Sequence, residues 1–302
     1  MNNPKSANKF LLFFLIYSIF IPIAFVWIPE KYFDFILLLQ NVFLILIPVA
    51  VYFLITKRKV TDVIPLNKLS LKNIGYVILI TLLSWPLFVL VSSISSMFAT
   101  TAINDSITEY IEGYSMLTCV VAFAAMPAVF EEVLCRGVIM SNYKTTSPVI
   151  MYVISALFFG FIHMNFQQMS YAIVAGIILA FMVHQTNSIF ASVLSHFVIN
   201  GTQVVVAKLA QASGIIDSEA ATNAELGWDI ILCYCVVAAI FGIILWKVIK
   251  KFKAYNVDNA AKYMNNEAGT NKKFVDGYFI SSVVLFLLII VCMEFAYRFN
   301  GL

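Results

Sequence analysis

Residues 145–207 read TTSPVIMYVISALFFGFIHMNFQQMSYAIVAGIILAFMVHQTNSIFASVLSHFVINGTQVVVA. The stretch contains no Lys, Arg, Asp or Glu, yet it holds all three histidines of the chain, His163, His184 and His196. Its apolar residues fill most sides of every turn instead of one stripe, as in helices surrounded by protein or lipid. A bilayer core about 30 Å thick needs about 20 such residues per crossing. The stretch therefore reads as spans 149–166, 169–184 and 188–207, the second of them short and without a flanking charge.

The same pattern continues outward. Further spans are expected at 10–28, 35–55, 74–97 and 117–143 on one side, and at 228–249 and 277–296 on the other. Composition agrees: of 302 residues 62% are apolar and 12% charged, against about 25% charged in an ordinary soluble domain. Backbone groups in lipid must pair within their own segment, so helices are expected throughout. The fold class is all-α, a polytopic transmembrane bundle of about eight or nine helices. It divides into an N-terminal part, 1–114, with three helices, a central part, 115–207, and a C-terminal part, 208–302, with two helices and a polar loop at 254–276.

Charge places the loops. The loop 57–72 has five basic residues and one acidic, and 247–276 has seven basic and three acidic. The stretch 98–114 has three acidic residues and no basic one, and 208–229 has one basic and four acidic. With nine spans these alternate, which puts the N-terminus in the cytoplasm and the C-terminus outside a cell membrane. The net charge of +3 is too small and too localised to suggest nucleic acid as a partner. Lys5 and Lys9 before the run 10–28 imitate a secretory signal. The run is as long as a full span and lacks a small-residue cleavage site, so a retained first helix is expected. The five cysteines lie in or beside apolar runs without the spacing of a disulfide framework, and read as small apolar fillers.

Ionisable residues inside a bilayer are functional candidates by default, because charge there is costly. The span 117–143 carries Glu131, Glu132 and Arg136. Glu132 and Arg136 are four residues apart, share a face and can pair, and a pair is far less costly than either charge alone. Glu131 lies about 100° further round the helix, so its carboxylate is free for other work. Phe159 precedes His163 by one turn and can pack on its ring. His196 and Asn200 share a face and can point hydrogen bonds at one position. At a rise of about 1.5 Å per residue, Glu131, His163, His196 and Asn200 lie roughly 12–20 Å from the same membrane face. His184 falls at the inner end of its helix, where an interface role is expected.

These elements in this order, Glu131-Glu132-x-x-x-Arg136, Phe159-x-x-x-His163 and His196-x-x-x-Asn200 on successive membrane helices, resemble the CPBP family. That family comprises CAAX-prenyl proteases that cleave after the prenylated cysteine and bacteriocin-processing and immunity membrane proteins. The resemblance covers about residues 115–207. Cys135 stands where the family usually has an aromatic residue before the Arg. The resemblance implies peptide-bond hydrolysis within the membrane, with Glu131 as general base, His163 holding the water, and His196 and Asn200 donating to the oxyanion. Glu132, Arg136 and Phe159 would support them. A carboxylate withdrawn from water is a better base than one in bulk, and each preorganised donor can lower the barrier by about 3 kcal/mol.

One carboxylate and two histidines, Glu131, His163 and His196, also compose a set that fits zinc with an open water position. The prenyl-protease branch implies instead a metal-free, glutamate-dependent reaction, and no cofactor is the favoured expectation. The partners implied are membrane lipid and a peptide or membrane-protein substrate, which the family theme would have prenylated. The alternatives are a non-catalytic immunity or peptide-binding protein, and a transporter using the cluster as a proton relay.

Overall fold

The protein is described by a computed structural model covering residues 3–29, 32, 36, 39–98, 113–213, 227–264 and 273–300. Most of the two acidic stretches, at 99–112 and 214–226, and residues 265–272 of the polar loop lie outside the described residues. Local chemistry sets the helix boundaries. Helix α1 (Pro4–Phe25) has Pro4 in its first turn and Asn3 as its cap. Helix α2 (Leu39–Thr56) contains a π-helical turn at Val42–Leu46. Helix α3 (Leu71–Ser96) is capped by Ser70, whose side chain accepts from Asn73 N. Helix α4 (Met116–Ile139) begins at a Ser115 cap. Helix α5 (Pro148–Phe161) begins at Ser147 with proline in the first turn, where its missing N–H does no harm.

Helix α6 (Phe166–Thr186) starts at an Asn165 cap and stops at Asn187 in the left-handed conformation, φ 51°. Helix α7 (Ile189–Ala212) follows at once. Helix α8 (Trp228–Tyr255), the short α9 (Val257–Met264) and α10 (Gly277–Asn300) complete the chain. Among the described residues there is no strand, only one isolated bridge between Leu66 and Ser188.

Among the described residues eight helices are long and apolar enough to cross a membrane, which makes this a multi-pass membrane protein. The ninth apolar helix is not the one whose sequence is shortest. The span expected at 169–184 is a full helix of 21 residues, whereas that expected at 149–166 has 14. At about 1.5 Å per residue α5 covers about 21 Å, less than a bilayer core. The reason is a turn hidden in apolar letters. Met164 takes φ 48°, and Asn165 caps the next helix through Oδ1 to Gln168 N at 2.8 Å. His163 therefore sits in the turn after α5 and not within a helix.

Helix α6 is the hub, packed against α3, α5, α7 and α9. Helix α8 runs along α3, and α10 along α1. Buried Asn73 and Asn256 exchange two amide hydrogen bonds, of 3.0 and 2.9 Å, and tie α3 to the end of α8. Such amide pairs hold membrane helices together where apolar burial gives no preference between protein and lipid. Helix α10 is joined to the core by Phe286, stacked on Phe161 with ring centroids 4.0 Å apart. Part of the polar loop is ordered as α9, which seats Tyr263 on His184. His184 is thereby buried and hydrogen-bonds Tyr152 through Nδ1. The outward faces carry Leu54, Ile55, Leu232 and Ile243, the apolar surface that a bilayer would cover.

The α5–α6 seam depends on Gly176. A Cβ there would lie 2.8 Å from Ala156 Cα, 2.9 Å from its Cβ and 3.4 Å from Arg136 Nη2. Overpacking of this kind costs about 1–3 kcal/mol, which outweighs the gain of about 1 kcal/mol for alanine over glycine in a helix. Gly75 on α3 has nothing within 4 Å of such an atom. Unfolding in detergent should show Gly75→Ala raising stability and Gly176→Ala lowering it. The same sign for both would refute the close-approach role of Gly176.

Candidate active site

The site is built on α4, whose backbone is irregular. π-Helical turns at Val120–Ala125 and Val133–Ile139 bracket a short α-helical piece, Met126–Glu132. Pro127 has no N–H to offer the carbonyl of Phe123 four residues earlier. Asn200 of α7 reaches that carbonyl, with Nδ2 donating at 3.0 Å. The proline thus opens an acceptor on α4, and α7 fills it.

Glu132 faces inward and has no exposed surface. Its Oε1 accepts from Arg136 Nη1 at 2.8 Å and lies 2.9 Å from His196 Nδ1. Arg136, also fully buried, donates from Nη2 to Gly176 O at 3.1 Å. Its guanidinium lies over the Phe159 ring, 4.3 Å from the centroid. The Phe159 ring in turn meets His163 and His196 at right angles, with centroid distances of 5.1 and 5.3 Å. One phenyl ring therefore separates the two imidazoles and carries the arginine on its face.

These contacts fix the histidine tautomers. An ionised carboxylate only accepts, so His196 Nδ1 is the donor to Glu132. Asn200 Nδ2 lies 3.2 Å from His196 Nε2 and donates to it, with the orientation of the amide set by Phe123 O. Likewise His163 Nδ1 donates to Phe159 O at 2.7 Å. That leaves Nε2 of His163 as the ring nitrogen turned to other partners.

Glu131 takes the opposite role from Glu132. Its side chain is 15% exposed, and Oε2 stands 4.0 Å from His196 Nε2. That oxygen has no hydrogen-bond partner. Glu131, His163, His196 and Asn200 all border one cavity of about 410 Å³, enclosed by α2, α4, α6 and α7 together with Phe159 of α5. Neutral polar groups complete its wall: Gln40, Asn41, Gln168, Tyr171 and Gln203.

The structure thus brings together all seven residues singled out in the sequence and leaves His184 apart, under α9. Sequence reasoning missed Phe123 O, Gly176 and the amide lining. Pro127 in an apolar run was a signal for the first, and the small residues Ala172, Gly176 and Ala180 at intervals of four were a signal for the second. Among the described residues, no three His, Cys, Asp or Glu side chains cluster as metal ligands would. The Nδ1–H contacts to Glu132 and Phe159 O are of the kind that orient a ligating imidazole, but His196 Nε2, its remaining ligand atom, is taken by Asn200.

Residues 113–202 match the family model described as type II CAAX prenyl endopeptidase Rce1-like. This segment, 90 of the 302 residues, is similar to the Rce1-like family. It runs from just before α4 into α7 and contains Glu131, Glu132, Arg136, Phe159, His163, His196 and Asn200. The match supports a CAAX-type intramembrane endopeptidase in general terms. No curated protein and no solved structure matches the chain. Helices α1 to α3 and α8 to α10 lie outside the matched segment.

Proposed function

We propose that the protein hydrolyses a peptide bond of a membrane-associated substrate, with water activated by Glu131 and no metal. The observation that carries this reading is the unpartnered, largely buried Glu131 Oε2 in the same cavity as His163, His196 and Asn200. A carboxylate of that kind is a base without a structural task. Two carboxylates stand side by side in the sequence, and only Glu132 is needed to neutralise Arg136.

The steps follow from the donors and acceptors. A water held by Glu131 Oε2 and His163 Nε2 attacks the substrate carbonyl carbon, and its proton passes to Glu131. The carbonyl oxygen becomes an oxyanion and draws the Asn200 Nδ2 proton away from His196. His196, its Nδ1–H held by Glu132, uses Nε2 to orient the Asn200 amide until the substrate carbonyl takes over that hydrogen bond. Collapse of the intermediate breaks the C–N bond, and Glu131 returns its proton to the leaving amine. The products are a new carboxyl group and a new amino terminus. We place the N-terminus in the cytoplasm, from the basic loops 57–72 and 247–276.

The direct test is a farnesylated, quenched-fluorescent peptide ending in a C-a-a-X tetrapeptide, added to reconstituted protein. Cleavage should persist in strong chelator and fall by about 10²-fold or more in His163→Ala and in His196→Ala. Turnover that survives His196→Ala, or that needs stoichiometric zinc, would refute this mechanism.

A further inference from the structure

We propose that Asn41 is a substrate-positioning residue whose carboxamide pairs with the backbone of a peptide held extended in the cavity. The proposal rests on the protease reading and deepens it. Asn41 lies on α2, outside the matched segment, just before the π-helical turn. Its exposure is 6%, and it borders the cavity that holds Glu131.

Buried amides in a folded protein are almost always hydrogen-bonded. The other buried asparagines obey the rule. Asn8 donates to Phe274 O, Asn73 and Asn256 pair with each other, Asn142 donates to Val138 O, and Asn165 caps α6. Asn41 is the exception among the buried asparagines of the described residues: its side chain makes no hydrogen bond within the protein, and its amide is not sealed off but borders the cavity. It stands in a membrane-spanning helix, where water is scarce and an unpaired amide is most costly. Nothing in the fold uses it, so its partner must come from what enters the cavity.

The chemistry of that partner follows from the group. A carboxamide carries one acceptor and two donors in a plane, enough to complement both the N–H and the C=O of a peptide unit. A peptide bond can be hydrolysed only after its segment has left helical hydrogen bonding, which bares N–H and C=O groups that need partners in a membrane cavity. Asn41 can accept from one and donate to the other. Gln168, also on the cavity wall, has a side-chain amide with no partner and is placed to take a second peptide unit. Backbone pairing is sequence-tolerant, so this device fixes conformation and register, and leaves side-chain preference to the rest of the cavity.

The experiment uses the same farnesylated peptide and the full-length protein in detergent, carrying Glu131→Gln so that bound peptide stays intact. Affinity is read from the shift of the thermal unfolding midpoint with peptide concentration. Adding Asn41→Leu should weaken binding about tenfold, the effect of one buried hydrogen bond. Without peptide, Asn41→Leu should raise the midpoint, because it removes an unpaired amide. An ester in place of one particular peptide bond should weaken binding by a similar factor in the Asn41 protein and not further in the Asn41→Leu protein. A lowered midpoint, unchanged affinity, or no binding by either protein overturns the proposal. If these results hold while the wild-type chain cleaves nothing, hydrolysis fails and the positioning role stands. If cleavage depends on Glu131 while Asn41→Leu binds normally, the reverse is true.

Discussion

Glu131→Gln is expected to lower turnover of the farnesylated peptide by about 10²–10⁴-fold, the usual contribution of a positioned general base. The midpoint of unfolding should stay within a degree or two, as is usual when a substitution breaks no structural contact. The two effects separate because Glu131 Oε2 has no partner to lose. The amide is nearly isosteric, can still touch a water, and cannot take its proton. Glu132→Gln makes the contrast, since it strikes the hydrogen bonds to Arg136 and His196 and should damage folding and turnover together. Single-turnover cleavage in proteoliposomes, beside thermal unfolding in detergent, distinguishes the two glutamates. Unimpaired turnover in Glu131→Gln would exclude it as the base. A cellular phenotype that survived the substitution would favour the peptide-binding alternative.

How far the site could be read from sequence depended on whether the information was local. Glu132 with Arg136, Phe159 with His163 and His196 with Asn200 are each four residues apart, so helical periodicity predicts every one of these neighbours. The convergence of the three helices was legible from depth, because a membrane supplies a common origin for measuring along each. What was hidden was irregular backbone. The turn that ends α5 is spelled with Ile162, Met164 and Phe166, all apolar, and only Asn165 betrays it. The π-helical turns of α4 are likewise invisible to a count of three or four residues, although Pro127 marks where the regular ladder must break. Long-range partners were hidden as well. The carbonyl of Phe123, the carbonyl of Gly176 and the cavity face of Asn41 acquire roles only through helices distant in the chain.

Arg136→Met should destabilise the protein by about 3–5 kcal/mol, the cost of breaking a buried ion pair from one side. The substitution keeps most of the side chain's volume over Phe159 but strands Glu132, which has no exposed surface and loses its cationic partner. The double variant Glu132→Leu/Arg136→Met removes both charges. Replacing a buried pair with apolar groups is often neutral or stabilising, so the double variant should unfold later than Arg136→Met alone. Its turnover should nevertheless be lost, because His196 then has no acceptor at Nδ1 to fix its tautomer, and no guanidinium remains between Gly176 O and Phe159. Stability would recover while activity did not, which identifies the pair as an organiser of the histidines more than as a source of folding energy. Unfolding free energies in detergent for both single variants and the double, with peptide turnover for each, complete the cycle. A double variant less stable than either single one would mean that the two charges act through independent contacts, and the argument from the buried pair would fall.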